Sequence, residues 1–287
     1  MPTLLDFRRR IRSVKNTQQI TRAMKFVAAA RLRRAQEAAL AARPYALELA
    51  RVLRSTMARI DEPQHPLLAK RPEERILAIV LSGERGLAGA FNTNILRKAN
   101  EFLRANREKK LSLVPVGKKG RDSLKRAGFQ FVAEYVNVLA KVSFATAREI
   151  SGLVTELYGK EEIDAVYLIF SEFKTVMSAN LKVEKLLPVE PETAEAADGG
   201  AGVDYIYEQP EAQLLGSLLP KYVEAQVLRA MLESSASEYA ARMAAMESAT
   251  RNAGEVIQAL TLHMNKVRQA AITKEIIEIV SGASHGA

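Results

Sequence analysis

Residues 236–284 read "ASEYAARMAAMESATRNAGEVIQALTLHMNKVRQAAITKEIIEIVSGAS". The stretch contains no proline, and its apolar residues recur at helical spacing. Leu232, Ala236, Tyr239, Met243, Met246, Thr250, Ala253, Ile257, Leu260, Met264, Val267 and Ala271 step alternately by four and three, which is a heptad seam. No proline follows Pro220. One helix of roughly 60 residues would run about 90 Å at about 1.5 Å per residue. A seam of that length requires a partner helix. Polar Thr250 in the seam, with Gly254 beside it, is expected to mark a weak point or a bend.

The last turns change face. Val267 and Ala271 continue the seam, whereas Ile272, Ile276, Ile279 and Val280 open a second stripe. A helix that is apolar on more than one face is surrounded on more than one side.

The partner is available at the other end of the chain. In "MPTLLDFRRRIRSVKNTQQITR" and beyond, Phe7, Ile11 and Val14 give one stripe and Ile20, Met24 and Val27 a second. Ala28, Leu32, Ala35, Ala39, Ala42, Ala46, Leu49 and Leu53 then form another four-and-three seam. Pro44 falls inside it and is expected to kink or loosen the helix without ending it. The Arg-rich, acid-poor start has the composition of a transit peptide, but the helical pattern runs on without a break, which favours a structural role. Both seams are rich in alanine, and an antiparallel coiled coil of the two chain ends is the simplest arrangement.

Composition agrees with long helices. Of 287 residues, 48% are hydrophobic and only 6% aromatic, with no Trp. The absence of cysteine excludes a disulfide framework, a thiol nucleophile and a Cys-based zinc site. His65, His263 and His285 lie far apart in sequence, so no metal centre is expected. No apolar run approaches the roughly 20 residues of a membrane-spanning helix. The net charge of +9 favours acidic partners.

Between the helices the texture changes. Arg75–Ser82 ("RILAIVLS"), Leu111–Gly117 ("LSLVPVG"), Phe129–Tyr135 ("FQFVAEY") and Asp164–Phe173 ("DAVYLIFSEF") read as strands, and Val176–Leu187 as a fifth, antiparallel one. Helices are expected over Asn92–Asn106, Arg121–Ala127 and Phe144–Tyr158. Alternation of this kind predicts a Rossmann-like, mostly parallel five-stranded α/β domain. The expected division is a coiled-coil helix over 1–60, the α/β domain over 73–190, an acidic, glycine-rich loop or foot over 191–209, and a second coiled-coil helix over 210–287.

An α/β domain raises the question of nucleotide binding. After the first strand comes "SGERGLAGAFN", Ser82–Asn92, with glycines at 83, 86 and 89. The dinucleotide fingerprint GxGxxG lacks its first close pair here, and "GKKGRDS" at Gly117 does not have P-loop spacing. The glycines are expected to build a tight strand-to-helix turn with Glu84 and Arg85 as an exposed contact at its tip. No Ser/His/Asp arrangement or paired carboxylates can be read, so neither catalysis nor a cofactor is expected of this chain by itself.

Three stretches together, "QITRAMKFVAAARLRRAQ" (Gln19–Gln36), "SGERGLAGAFN" and Ala236–Ser284, closely resemble the gamma subunits of bacterial F-type ATP synthases, the central rotor shaft. The resemblance spans nearly the whole chain and is most specific in "ITKEIIEIVSGAS". The turn departs from the family's usual SDRGLCGG, since Gly83-Glu84 and Ala88-Gly89-Ala90 replace part of it. The resemblance implies a non-catalytic subunit that couples rotation of a membrane c-ring, driven by an ion gradient, to ATP synthesis or hydrolysis in a ring of alpha and beta subunits. The epsilon subunit is a further implied partner. The implied location is the cell inner membrane, peripheral, on the cytoplasmic side. By position, Met24, Lys25, Arg85, Arg268, Gln269, Thr273, Glu275 and Ile276 match residues that face the alpha/beta ring, Arg85 meeting an acidic lever of beta. Tyr205, Tyr207 and Glu208 match the foot on the c-ring. The resemblance also explains the apolar tip, which in the family stands inside an apolar sleeve. The basic residues Arg8, Arg9, Arg10, Arg12, Lys25, Arg31, Arg33 and Arg34 then become complementary to acidic levers.

Two rivals remain from the residues alone. A sequence pI of 9.7 and the Arg-rich first helix suit a basic coiled-coil scaffold or nucleic-acid binder, although no aromatics interleave the charges. A Rossmann-type oxidoreductase is disfavoured by the glycine spacing.

Overall fold

The computed structural model describes residues 3–57, 65–176, 178–190 and 211–284. Two long helices bracket an α/β region. They are α1 (Leu4–Met57, 54 residues) and α5 (Glu211–Ser284, 74 residues). Pro44 lies inside α1 and Pro220 inside α5, and neither ends its helix. Between them come β1 (Arg75–Leu81), α2 (Phe91–Ala105), β2 (Lys110–Val116), α3 (Lys118–Arg126), α4 (Phe144–Gly159), β3 (Ala165–Phe173) and β4 (Ala179–Leu187).

The chain divides into two compact units. One comprises residues 1–28 and 242–287, the other residues 29–241.

In the larger unit the sheet order is β2-β1-β3-β4, with β1 parallel to both β2 and β3, and β4 antiparallel to β3. After Arg75, strand β1 is apolar and buried on both faces, as befits a central parallel strand. Side chains of successive residues leave the sheet on opposite sides. Leu77, Ile79 and Leu81 join Ile150, Val154 and Tyr158 of α4 and Leu215, Leu219, Val223 and Val227 of α5. Ala78 and Val80 join Ile95, Ala99 and Leu103 of α2 and Leu124 of α3.

The sheet therefore has four strands, and the expected third strand, Phe129–Tyr135, forms only isolated bridges from Phe131 and Tyr135 to β2. The backbone explains the difference. Val132 N donates to Leu113 O at 3.0 Å and Tyr135 N to Pro115 O at 3.0 Å. Two residues along β2 thus span three on the outer segment, so the register slips. Pro115 has no N–H to return a ladder bond at this edge.

The first part of α5 is not a two-helix seam. Residues 231–240 are buried on every side of the helix, as expected for a helix packed inside a domain. Here Leu232, Ala236 and Tyr239, which read as seam positions, belong to the interior.

In the smaller unit α1 and α5 run antiparallel. Phe7 stacks obliquely on His263 with ring centroids 5.0 Å apart, Thr21 meets Thr250 with its hydroxyl oxygen 2.8 Å away, and Lys25 pairs with Glu247. Moving up one helix thus means moving down the other. On α5, Met246, Thr250, Ala253, Ile257, Leu260, Met264, Val267 and Ala271 are buried or half-buried, as the heptad reading predicts. On α1 the phase set by Phe7, Ile11 and Val14 continues through Gln18, Thr21 and Lys25 to Ala28. The second stripe, Ile20, Met24 and Val27, does not carry the seam, because Ile20 and Val27 are 60% and 54% exposed. Polar side chains take those seam positions because each finds a partner across it. Gln18 Nε2 donates to Thr250 O at 3.3 Å, and a Cβ on Gly254 would lie 3.1 Å from the same nitrogen. Thr250 and Gly254 therefore form a polar tie within a continuous helix rather than a weak point.

Candidate functional site

Three places in the structure carry features that a folded core does not require. The first is the free end of α5. Helix α1 begins at Leu4, and its Phe7 already lies level with His263. Beyond Ala271 every residue whose exposure is described is exposed. Ile272, Ile276, Ile277 and Ile279 are 49%, 55%, 61% and 71% exposed. Ordinary surface helices do not present a run of isoleucines to water. Among the described residues, the second stripe read from the sequence is thus left open at Ile272, Ile276 and Ile279. Arg268 and Gln269 are exposed just before it, and Thr273 and Glu275 within it. Met24 is half-buried. The Lys25 ammonium is committed to Glu247, its side chain 31% exposed.

The second place is the turn between β1 and α2. Ser82 is buried, accepts from Gly120 N at 2.7 Å and donates to Gly117 O at 3.3 Å. Gly117 has a φ of +107°, and a Cβ there would lie 2.0 Å from Ser82 O, so only glycine fits. Asn92 Oδ1 accepts from Gly83 N at 2.8 Å, and Asn92 Nδ2 donates to Arg85 O at 3.3 Å. The expected pairing of Glu84 with Arg85 as an exposed tip is half wrong. Glu84 is only 8% exposed, and its carboxylate accepts from Lys118 N at 3.0 Å, Val138 N at 3.1 Å and Leu139 N at 3.4 Å. A buried carboxylate that collects backbone N–H groups ties three segments together. It also fills the N-terminus of α3, the place where an α/β fold would receive a phosphate. Arg85 alone is exposed, and among the described residues its guanidinium has no partner.

The third place was not recognised in the sequence. On α5, "LESSASEYA" supplies the buried polar residues Glu233, Ser234, Ser235, Ser237 and Glu238. Glu233 accepts from Phe173 N at 3.0 Å and pairs with Arg43 at 3.2 Å. Ser234 Oγ accepts from Ser171 N at 3.4 Å, Ser237 Oγ donates to Ser171 O at 3.1 Å, and Ser235 Oγ donates to Leu139 O at 3.0 Å. The end of β3 is hydrogen-bonded side-on to the long helix. The only signal in the sequence was two acids and three serines on consecutive turns of an otherwise Ala-rich helix.

Tyr205, Tyr207 and Glu208 lie outside the described residues. Among the described residues no cluster of metal-ligating side chains occurs, and no helix is long and apolar enough to cross a membrane. Elsewhere charges serve the fold. Asp164 accepts from Arg75 N at 2.8 Å and from its guanidinium at 2.6 Å, which holds the carboxyl below its ordinary range.

A helix pair whose described apolar end is uncovered, and an α/β unit that carries an exposed arginine on a tight turn, are features of a subunit that engages other chains. The comparisons with known proteins give the family. A family model described as ATP synthase matches residues 3–285. A protein of Solibacter usitatus named ATP synthase gamma chain is 52% identical over 289 residues, covering 99% of each chain. One of Pelotomaculum thermopropionicum with the same name is 46% identical, again over 99% of each. The chain belongs to the ATP synthase gamma-chain family. A solved structure of the Tetrahymena thermophila mitochondrial ATP synthase central stalk and c-ring is similar with a TM-score of 0.61 and 26% identity, over 80% of this chain and 99% of that one. A chain of the Euglena gracilis mitochondrial ATP synthase shares the fold with a TM-score of 0.67 at 22% identity, over 98% and 93%.

Proposed function

We propose that this chain is the central-stalk rotor subunit of an F-type ATP synthase. It turns with the membrane c-ring and imposes its asymmetry on the catalytic sites of the surrounding beta subunits. It catalyses nothing by itself. Its partners are the alpha and beta subunits, the epsilon subunit and the c-ring, and it is held at the cytoplasmic side of the cell inner membrane as a peripheral subunit. In this reading residues 1–28 and 242–287 make the coiled-coil shaft, the α/β unit, which takes in the first part of α5 expected to belong to a 210–287 shaft, makes the base, and 191–209 the foot.

The observation that carries the proposal is the open isoleucine stripe beyond the end of α1. A shaft whose end stands inside a ring needs apolar contact on several sides, and the described residues leave that end uncovered. Met24, Lys25, Arg268, Gln269, Thr273, Glu275 and Ile276 lie on this helix pair and would face the alpha/beta ring, and Arg85 would meet an acidic segment of beta. Tyr205, Tyr207 and Glu208 would rest on the c-ring. Of these, Arg268 and Arg85 are exposed and form no ion pair among the described residues, as a contact formed and broken once per turn requires.

The test is truncation after Ala271. Each isoleucine buried in a sleeve contributes roughly 1.5–3 kcal/mol at most. The shortened chain should fold and melt alone like the full-length one, yet assemble less tightly with alpha and beta subunits and turn over with looser coupling. Loss of folding in the isolated chain would mean that the stretch packs internally and that the sleeve reading is wrong.

A further inference from the structure

The β1–α2 turn holds out one residue that neither the fold nor the charge pattern explains. Leu87 is 64% exposed and has a φ of +63°. A leucine in this left-handed region is strained, and glycine would take the same conformation without cost. Glycines stand close by at 86 and 89, and Gly89 itself adopts a φ of +54°. The strained position nevertheless carries a large apolar side chain, pointed at water.

The surroundings hold it there. On one side the Arg85 carbonyl is tied by Asn92 and the Glu84 carboxylate is buried under three backbone N–H groups. On the other side Ala88 is 1% exposed, and its carbonyl accepts from Phe91 N at the start of α2. Leu87 thus sits between two fixed points. Around it stand the cations Arg85, Lys118 and Lys119, all exposed. A Cβ on Gly86 would lie 4.0 Å from Lys119 Cε, so the lysine stem runs beside the same tip.

We propose that Leu87 is a docking knob that seats in an apolar recess of an acidic segment on a catalytic-ring subunit, with Arg85 as the charged half of the same contact. The proposal rests on the reading that Arg85 meets an acidic segment of the ring. The basic rim selects an acidic partner, because the three cations would repel a basic one. The backbone strain keeps the knob in place before the partner arrives, so little ordering remains for the moment of contact. Glu84 acts through the backbone and is a positioning residue.

The experiment uses the full-length chain assembled with alpha and beta subunits, and reads the rate at which labelled chain leaves the complex at low and high salt. Leu87→Asn and Leu87→Gly both suit the left-handed conformation and remove the knob. Each should leave the melting temperature of the isolated chain unchanged or higher, while dissociation accelerates by about tenfold, as expected for one buried leucine, and equally at both salt concentrations. Arg85→Ala, measured in parallel, should accelerate dissociation mainly at low salt. Unchanged dissociation for both Leu87 variants overturns the knob. A fall in isolated-chain stability matching the loss in the complex overturns it too, because the residue would then serve the fold. If Arg85→Ala is silent while the Leu87 variants act, an acidic partner is excluded and the proposal fails in that half. If Arg85→Ala acts and the Leu87 variants do not, the ring contact stands and only the knob falls.

Discussion

Replacing Glu233 by alanine tests whether the long helix is held to the α/β domain by direction-specific bonds. The side chain is only 5% exposed, and its two oxygens divide their work. One accepts from Phe173 N at 3.0 Å, and the other meets Arg43 at 3.2 Å. Arg43 is 51% exposed at its side chain, so that ion pair contributes about 0–1 kcal/mol. The bond to Phe173 weighs more, since its loss leaves a backbone donor at the end of β3 without a partner, at a cost of about 1–3 kcal/mol. Glu233→Ala should therefore destabilise the isolated chain by about 1–4 kcal/mol. At roughly 2–4 °C per kcal/mol for a chain of this size, calorimetry should resolve the shift in Tm. Glu233→Gln keeps an acceptor for Phe173 and gives up only the charge, so it should melt close to the parent. In assembled enzyme Glu233→Ala should also lower ATP-driven proton pumping more than ATP hydrolysis, because the domain can yield against the helix under load. Equal destabilisation by alanine and glutamine would show that the charge pair dominates. An alanine variant as stable and as well coupled as the parent would refute the reasoning altogether.

Arg268→Leu should impair ATP synthesis and hydrolysis far more than it lowers the melting temperature of the isolated chain. An equal loss of both would assign Arg268 to the coiled coil. Met24→Lys places a second cation beside Lys25, and proton pumping in membrane vesicles should become inefficient while hydrolysis continues. Unchanged coupling would make Met24 an ordinary half-buried packing residue. For Asp164, the Arg75 bonds lower the folded-state pKa, so the stability they contribute is present above the ordinary aspartate range. It should fade as pH falls from about 4 through the lowered value. Acid unfolding curves should show that loss in the parent and not in Asp164→Asn.

Much of this architecture was legible because it rests on periodicity. The C-terminal seam from Met246 to Ala271 and its departure at Ile272 appear in the structure as read, since a heptad phase is fixed by geometry once a few apolar positions set it. The same rule corrected the N-terminal reading. Ile20 and Val27 are apolar but out of phase, and polar Gln18 and Thr21 are in phase. Hydrophobicity alone pointed to the wrong stripe because the deciding quantity was position. Other features were hidden by distance along the chain. Glu84 finds its backbone donors 34, 54 and 55 residues away, so a sequence neighbour such as Arg85 gives no hint that its carboxylate is buried. Phe129–Tyr135 has strand composition, and the obstacle lies in the neighbouring strand, where Pro115 withholds the donor that pairing needs. The polar residues of "LESSASEYA" look like a solvated face until the end of β3 is placed against them.

Two stretches of α5 carry opposite kinds of side chain, and the proposed rotation accounts for the difference. Near the α/β domain Glu233, Ser234, Ser235 and Ser237 bond to fixed backbone groups at fixed angles. Hydrogen bonds weaken steeply when donor and acceptor turn away from each other, so a set of them around one helix resists twisting about its axis. Apolar burial alone would resist it less, because its free energy follows area and has no direction. At the far end the requirement reverses. A tip that turns inside a sleeve must keep its burial at every angle and favour none strongly. Isoleucines at 272, 276 and 279 would supply burial without direction. In the proposed reading Arg268 and Gln269, exposed just before them, would add the few direction-dependent contacts by which one orientation differs from the next. A tip whose contacts were mostly directional would stall, and a helix held to its domain by apolar burial alone would slip.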